Sequence, residues 1–533
     1  MKNDWLWWRD GIIYQIYPRS FADSNGDGIG DLPGITSRLD YLADLGVDAI
    51  WLSPIYPSPD ADFGYDVSDY YAIDPRFGTL DDFDALIQAA HERGIHVILD
   101  MVFNHTSDQH PKFIQSRSSR ENPYHDWYFW RDPLPGGAPP NNWASVFGGG
   151  GWEYDPHLKQ YYFHMFVRQQ PDLNWRSSAV RQAVLNVMRY WLEKGVDGFR
   201  LDVFNAYFKD EQLQNNPPKP GIRPFDMQKH IHDIDQPEML PLLSEMRALL
   251  DGYPERYFIG ETFLSGAEKA AFYTGPDRLH AAFNFDFLKN RWSARGFQQT
   301  IHRWETLLGP DRYPNYVLNN HDTPRSATRY TWSEDDQRLK LLAVMLLTLR
   351  GTPFMYYGEE IGMRDISLRR DQILDPVGKR YYPFHKGRDG CRAPMQWTDM
   401  PNAGFSSAAP WLPIHPDYTQ RNVAAQTADD ASLLNFYKKV IALRRKHPAL
   451  HRGTYLPIAG TPFQSMAYLR QHGKDHVMVA LNFSDRPADL HLGSAFWGHW
   501  KPLLSSIAGE NQIEAGNLHL RPLEACLFQE VNK

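Results

Sequence analysis

From residue 11 to residue 360, short apolar runs of strand character alternate with amphipathic stretches of helical spacing. That alternation restricts the chain to a parallel sheet wrapped by helices. Strand character recurs in "GIIYQIY" (11–17), "VDAIWLSPI" (47–55), "IHVILDMVFNH" (95–105) and "VDGFRLDV" (196–203). It returns in "YFIGETF" (257–263), "HAAFNFDF" (280–287), "NYVLNNHD" (315–322) and "TPFMYYGEE" (352–360). Between them the spacing predicts helices over 35–46, 79–94 with Thr79 as N-cap, and 179–195, and a last one over 431–447. Eight strands, most of them followed by helical pattern, predict a (β/α)8 TIM barrel. The pattern breaks for about 70 residues after the third strand, in a stretch rich in Pro, Gly, Asn and Trp. Beyond 453, alternating runs such as "SMAYLRQ", "HVMVALNF" and "LHLRPLEACLFQE" predict an all-β domain. The expected division is 1–104 for the first part of the barrel, 105–174 for an inserted loop-rich domain B, 175–452 for the rest of the barrel and 453–533 for a C-terminal β-sandwich.

At 533 residues the chain is long enough for two or three domains. A net charge of −8 argues against nucleic acid or an anionic membrane as partner. The two cysteines, Cys391 and Cys526, form no disulfide framework, which suits a reducing compartment. The N-terminus "MKNDWLWWRDG" has no apolar signal core, and the longest apolar run, "LLAVMLLTL", is half a membrane span. A cytoplasmic protein, monomeric or weakly dimeric, is expected. The basic run Arg444-Arg445-Lys446-His447 is expected to be a solvated helix end facing the helix dipole.

In a barrel of this kind chemistry sits at the C-terminal strand ends. Asp100, Asn104 and His105 follow the third strand, Arg200 and Asp202 end the fourth, Glu261 the fifth, and His321 and Asp322 the seventh. One carboxylate at a strand end is usually a cap or a turn. Carboxylates, Arg and His from four strands meeting at one rim predict an active site.

"DMVFNH" (100–105), "GFRLDVFN" (198–205), "GETF" (260–263) and "NNHD" (319–322) resemble, in order and spacing, the four signature regions of the α-amylase family of glycoside hydrolases. "QPDLN" (170–174) is similar to the extra motif of its oligo-1,6-glucosidase and α-glucosidase branch, and "GTPFMYYGEEIGM" (351–363) to the region around the eighth strand. The resemblance spans essentially the whole chain. It implies a retaining, exo-acting α-glucosidase that takes a small carbohydrate substrate and needs no organic cofactor. Asp202 would be the nucleophile, Glu261 the general acid/base and Asp322 the stabiliser of the transition state. Arg200, two residues from Asp202 on the same strand face, is expected to keep that carboxylate ionised, and burial to keep Glu261 protonated. His105 and His321 would hydrogen-bond sugar hydroxyls. Asp62, Tyr65 and Arg388 would close the glucose subsite, with Phe147 as an apolar wall. Val203 resembles the residue of α-1,6-specific members, whereas 204–220 looks like the loop of enzymes acting on maltose and sucrose, so linkage stays open. A glucosyl transferase or sucrose isomerase would use the same intermediate. The isomerases' arginine-rich loop after the seventh strand is not seen in "TPRSATRYTWSEDD" (323–336).

"FADSNGDGIGD" (21–31) could pass for a phosphate loop, but three aspartates would repel phosphate. Its Asp-x-Asn-x-Asp-Gly run copies the first half of an EF-hand loop, while the twelfth position is Gly34 instead of the bidentate Glu. The resemblance implies one structural ion here, Ca²⁺ or Mg²⁺, held by Asp23, Asn25, Asp27, the carbonyl of Ile29 and Asp31. "KHIHDIDQPE" (229–238) has no convincing metal-ligand spacing, and Glu359 and Glu360 are expected to be structural.

Overall fold

The computed structural model describes residues 5–331, 336–493, 496, 499–509 and 511–531. The tryptophan-to-aspartate end of the segment 323–336 therefore lies partly outside the described residues.

Each predicted barrel strand forms. They are β1 (Ile13–Ile16), β2 (Ala49–Leu52), β3 (His96–Met101), β7 (Gly198–Leu201), β8 (Tyr257–Glu261), β9 (Ala281–Phe283), β10 (Asn315–Val317) and β11 (Thr352–Tyr356). All pair in parallel, in the order β10-β11-β1-β2-β3-β7-β8-β9, and β9 abuts β10 to close the ring. The strands are buried along nearly their whole length, as they must be with helices outside and side chains filling the lumen. Outside, the helix Leu80–Glu92 begins at a complete capping box, with the Thr79 hydroxyl on the amide of Asp82 and the Asp82 carboxylate on the amide of Thr79. The helix expected over 35–46 is instead two, Leu32–Thr36 and Leu39–Leu45. Asp31 caps the first by accepting from the amide of Gly34, Pro33 fits its first turn, and Gly46, at φ 94°, ends the second in the left-handed region.

Between β3 and β7 lies the excursion with a small antiparallel sheet, β4 (Trp130–Arg131), β6 (Gln160–Phe163) and β5 (Trp152–Asp155), in that order. Lys209 and Asp172, both fully buried, tie it to the barrel through a 2.8 Å ion pair. At the C-terminal end, β12 (Thr454–Ile458), β13 (Ser465–His472), β14 (Asp475–Asn482), β19 (Ala525–Glu530) and β16 (Trp500–Ser505) form one sheet. The strands β15 (Ala488–His491), β18 (Asn517–Leu520) and β17 (Ile513–Glu514) form a second. Strand alternation explains how the larger sheet serves two cores: Met478 and Ala480 pack with Leu490 and Leu518 of the smaller sheet. Val477, Val479 and Leu481 of the same strand join the barrel's core.

The basic run at the end of the helix Leu433–Lys446 departs from expectation. Arg444 is buried, not solvated. Its guanidinium donates to the carbonyls of Leu347, Leu349 and Leu450 at 3.0–3.1 Å and to that of Gly351. The carbonyls of Leu347, Leu349 and Gly351 end the helix Gln337–Thr348 and lead into β11, and Leu450 belongs to the short helix Pro448–His451, so the cation supplies donors that these helix ends lack. Arg470 of β13 does the same for Leu450, Gly453 and Thr454. Replacing Arg444 by Met keeps the apolar stem but orphans buried carbonyls. Arg444→Met is expected to destabilise the fold by about 3 kcal/mol, read as a lower urea or thermal midpoint. An unchanged midpoint would remove this role.

Candidate active site

The register of the barrel puts the charged side chains face to face. Asp100 of β3 is the lateral partner of Arg200 of β7, and Asp202 and Glu261 stand at the ends of β7 and β8. The Arg200 side chain, 2% exposed, donates to Asp100 at 2.6 Å and to Asp202 at 2.7 Å. Its other terminal nitrogen donates to Glu261. One cation therefore bridges the proposed nucleophile and the proposed acid.

Burial raises all three carboxyls, most of all Glu261, which is pushed up to about 8 with Asp202 and Asp322 adding to the effect. Asp202 rises to about 7, because burial and the neighbouring carboxylates outweigh Arg200. Arg200, expected to keep this carboxylate ionised, does pull it down, and burial works against that pull. Asp322 behaves differently. Burial pushes it up, yet nearby charge holds it below the usual carboxylate range. Protonated His321 contributes most to that charge where Asp322 titrates, although burial pushes the ring down to about 3 and leaves it neutral at pH 7. The rest comes from Arg388, 3.4 Å away, Arg392, 2.9 Å away, and the field of Arg200.

The two histidines are held by protein partners. Gln15 of β1 donates its amide to Nδ1 of His321 at 2.8 Å, which leaves the proton on Nε2, 2.7 Å from the Tyr65 hydroxyl. Tyr65 in turn donates to Asp100 at 3.1 Å and stacks on His321 with ring centroids 5.4 Å apart. His105, pushed down to about 4 by burial, has Nε2 within 2.9 Å of the Tyr65 carbonyl and 3.0 Å of Gln170. Both rings stay neutral and act first on the residues around them.

At the far end of the pocket Arg388 donates to Asp62 at 2.6 Å and rests over the Phe147 ring at 5.1 Å. This end-wall pair was expected. Its anchor was not: Asp375, fully buried, accepts from Nε of Arg388 at 2.8 Å and from its Nη2 at 2.5 Å. Gln170 donates to Asp62 at 3.3 Å, so the "QPDLN" motif braces the end wall from the excursion between β3 and β7. Val203, directly after Asp202, lines the pocket with φ 35°, ψ 38°. A β-branched residue in the left-handed region is strained, which ties its shape to the position of Asp202. The enclosed space is about 290 Å³, at the small end for ligand pockets.

Other sequence candidates stay apart. His230 pairs with Asp233 at 2.8 Å, and Asp235 accepts from Asn205 and Tyr273. Glu360 accepts from Tyr14 and Tyr41, and Glu359 from Asn319 and Tyr437, as structural groups do. In the loop 23–31 the donors fit a hard cation, being carboxylate, amide and carbonyl oxygens only. Asp23 accepts from the amides of Asn25, Gly26 and Gly28, and Asp27 from that of Ile29. Asp31 accepts from Ser24 and Gly34. Among the described residues no three His, Cys, Asp or Glu side chains are gathered for a shared ion. No described helix is long and apolar enough to cross a membrane.

Residues 15–453 match the family model described as alpha amylase, catalytic domain. The chain is 46% identical over 508 residues to a probable alpha-glucosidase of Rhizobium meliloti, covering 92% of each chain. It is 39% identical to an oligo-1,6-glucosidase of Parageobacillus thermoglucosidasius, over 98% of this chain and 99% of the relative. Among solved structures, the alpha-glucosyl transfer enzyme XgtA superposes with a TM-score of 0.94 at 41% identity, covering 99% of this chain and 100% of that one. The trehalulose synthase MutB from Pseudomonas mesoacidophila superposes at 0.91 with 35% identity, over 98% and 99%. The signature residues, the eight-stranded barrel and these likenesses lead to one conclusion: the chain belongs to the α-amylase family of glycoside hydrolases.

Proposed function

We propose that the protein is a retaining, exo-acting α-glucosidase that releases terminal glucose from short α-glucosides. The observation that carries this reading is Arg200 bridging Asp202 and Glu261 beneath a pocket closed at one end by Asp62 and Arg388. Retention needs two carboxyls on opposite sides of the anomeric carbon, close enough that one attacks directly. Glu261, the more strongly proton-retaining of the two, delivers its proton to the glycosidic oxygen as the C–O bond breaks. Asp202 bonds to the anomeric carbon. Glu261, now ionised, removes a proton from water, which attacks that carbon and releases Asp202, so two inversions give net retention. Asp322, kept anionic by arginines, opposes the positive charge that develops on the ring. The Asp62–Arg388 wall leaves no room for sugar units beyond the terminal one, which supports exo-cleavage. Transfer of glucose to a second sugar in place of water is a side activity, favoured by the likeness to an alpha-glucosyl transfer enzyme. We also propose one hard cation, Ca²⁺ or Mg²⁺, at the loop 23–31, supported by its all-oxygen donors and by the exposure of Asn25.

Maltose, isomaltose and sucrose are the substrates with which to test the reading, with the released anomer followed by NMR. First-formed α-glucose is expected; β-glucose, or vigorous cleavage of end-blocked dextrins, would sink it. Asp202→Ala and Glu261→Gln are each expected to lose about a thousandfold or more in kcat. Because Glu261 works protonated, kcat/KM should decline as pH rises through about 8, while the acid limb follows proton uptake at Asp202 near 7. A flat profile to pH 9.5 would contradict this assignment. Chelation by EDTA should lower Tm by about 5 °C while changing the initial rate less than twofold; an unchanged Tm would remove the cation.

A further inference from the structure

The sequence holds a single Asn-Gly pair, Asn25-Gly26, and it lies in the loop after β1. Glycine shields its backbone nitrogen least of all residues, because no Cβ stands beside it. Asn25 is exposed to solvent. The turn calls for both residues. Gly26 has φ 79°, and a Cβ there would stand 2.5 Å from Oγ of Ser407. The Asn25 side chain accepts from the amide of Asp27 at 2.9 Å, the local bond that shapes the turn. The same turn holds the pair in check. One carboxylate oxygen of Asp23 accepts from the amide of Asn25 at 3.0 Å and from that of Gly26 at 2.8 Å.

We propose that Asn25 is a deamidation site, closed while Asp23 holds the Gly26 amide and open whenever the loop unfolds locally. The Gly26 nitrogen bonds to Cγ of Asn25, the Cγ–Nδ2 bond breaks, and ammonia leaves with the Gly26 amide proton. Water then opens the succinimide. Opening at Cγ gives aspartate; opening at the main-chain carbonyl gives isoaspartate, whose backbone runs through Cβ and Cγ. That extra backbone carbon falls in a loop pinned on both sides. The amide of Asp23 donates to the carbonyl of Phe405, and that of Trp411 to the carbonyl of Gly28, each at 3.0 Å. The rings of Trp411 and Phe63 have centroids 5.7 Å apart, and Phe63 adjoins Asp62 in the chain. Conversion at residue 25 therefore loosens the packing behind the closed end of the pocket, and the protein ages from this loop.

The full-length protein, kept in warm and mildly alkaline buffer, is digested and mapped by mass spectrometry, with isoaspartyl methyltransferase labelling of the same peptides. The peptide carrying residue 25 is expected to gain the mass of amide-to-acid exchange ahead of every other asparagine, and to take the label. Isomerisation at Asp27-Gly28 leaves the mass unchanged, so the two signals separate the sites. Asp23→Ala should raise the rate about tenfold, as loss of a hydrogen bond to a charged group does, and wild type unfolded in urea should react at least as fast. The Tm of wild type should fall as conversion proceeds. Asn25→Ser keeps an oxygen acceptor but has no amide to lose, so it should hold its starting Tm over the same period. Conversion elsewhere before residue 25, equal rates in folded and urea-unfolded wild type, or equal Tm losses in wild type and Asn25→Ser would overturn the proposal. A rate in Asp23→Ala no higher than in wild type would remove Asp23 as the guard.

Discussion

A single buried guanidinium organises the centre of this molecule. Arg200 has little water around it, so its charge must be met by carboxylates, and three strands deliver them: Asp100, Asp202 and Glu261. The arrangement is strongly non-additive. Removing the cation would leave three acids facing one another in a dry pocket, and removing any one acid would change the proton affinity of the others. The parallel register of β3, β7 and β8 is what makes the cluster possible, because it sets Asp100 and Arg200 side by side on the lumen. Fold and chemistry are here the same constraint.

A second arginine repeats the device at the pocket's end. Arg388 is shared between Asp62, Asp375 and, more distantly, Asp322, which come from separate loops. The excursion between β3 and β7 reaches the same point through Gln170 and Phe147. The closed end of the pocket is thus a junction of loops from across the chain. Loops are ordinarily the mobile part of a barrel, and buried ion pairs with matched hydrogen bonds give these a fixed meeting place.

How much of this was legible in the sequence follows from what each feature depends on. All eight barrel strands were readable from apolar runs, because strands buried on both sides carry continuous hydrophobic sequence. The Asp100, Arg200, Asp202, Glu261 and Asp322 positions were readable because strand ends are fixed by that pattern. Asp375 was not. It lies in a loop with no periodicity, and only the path of the chain brings it under Arg388. Arg444 was misread for a related reason. A basic residue at a helix end looks solvated in one dimension, and only the neighbouring helix end reveals the carbonyls it serves. The pull of Arg200 on Asp202 was readable from their spacing, while the burial that opposes it is a property of the finished pocket.

Val203 carries a consequence of a different kind. A β-branched residue held at φ 35° costs about 1–3 kcal/mol relative to a relaxed backbone. Glycine would relieve that strain, and selection for thermal robustness alone would find such a change attractive. The same strain holds the backbone beside Asp202 in one position, so relief would let that carboxylate wander. Directed evolution of this enzyme for heat tolerance should therefore be steered away from this turn, where a more durable protein would be a slower one.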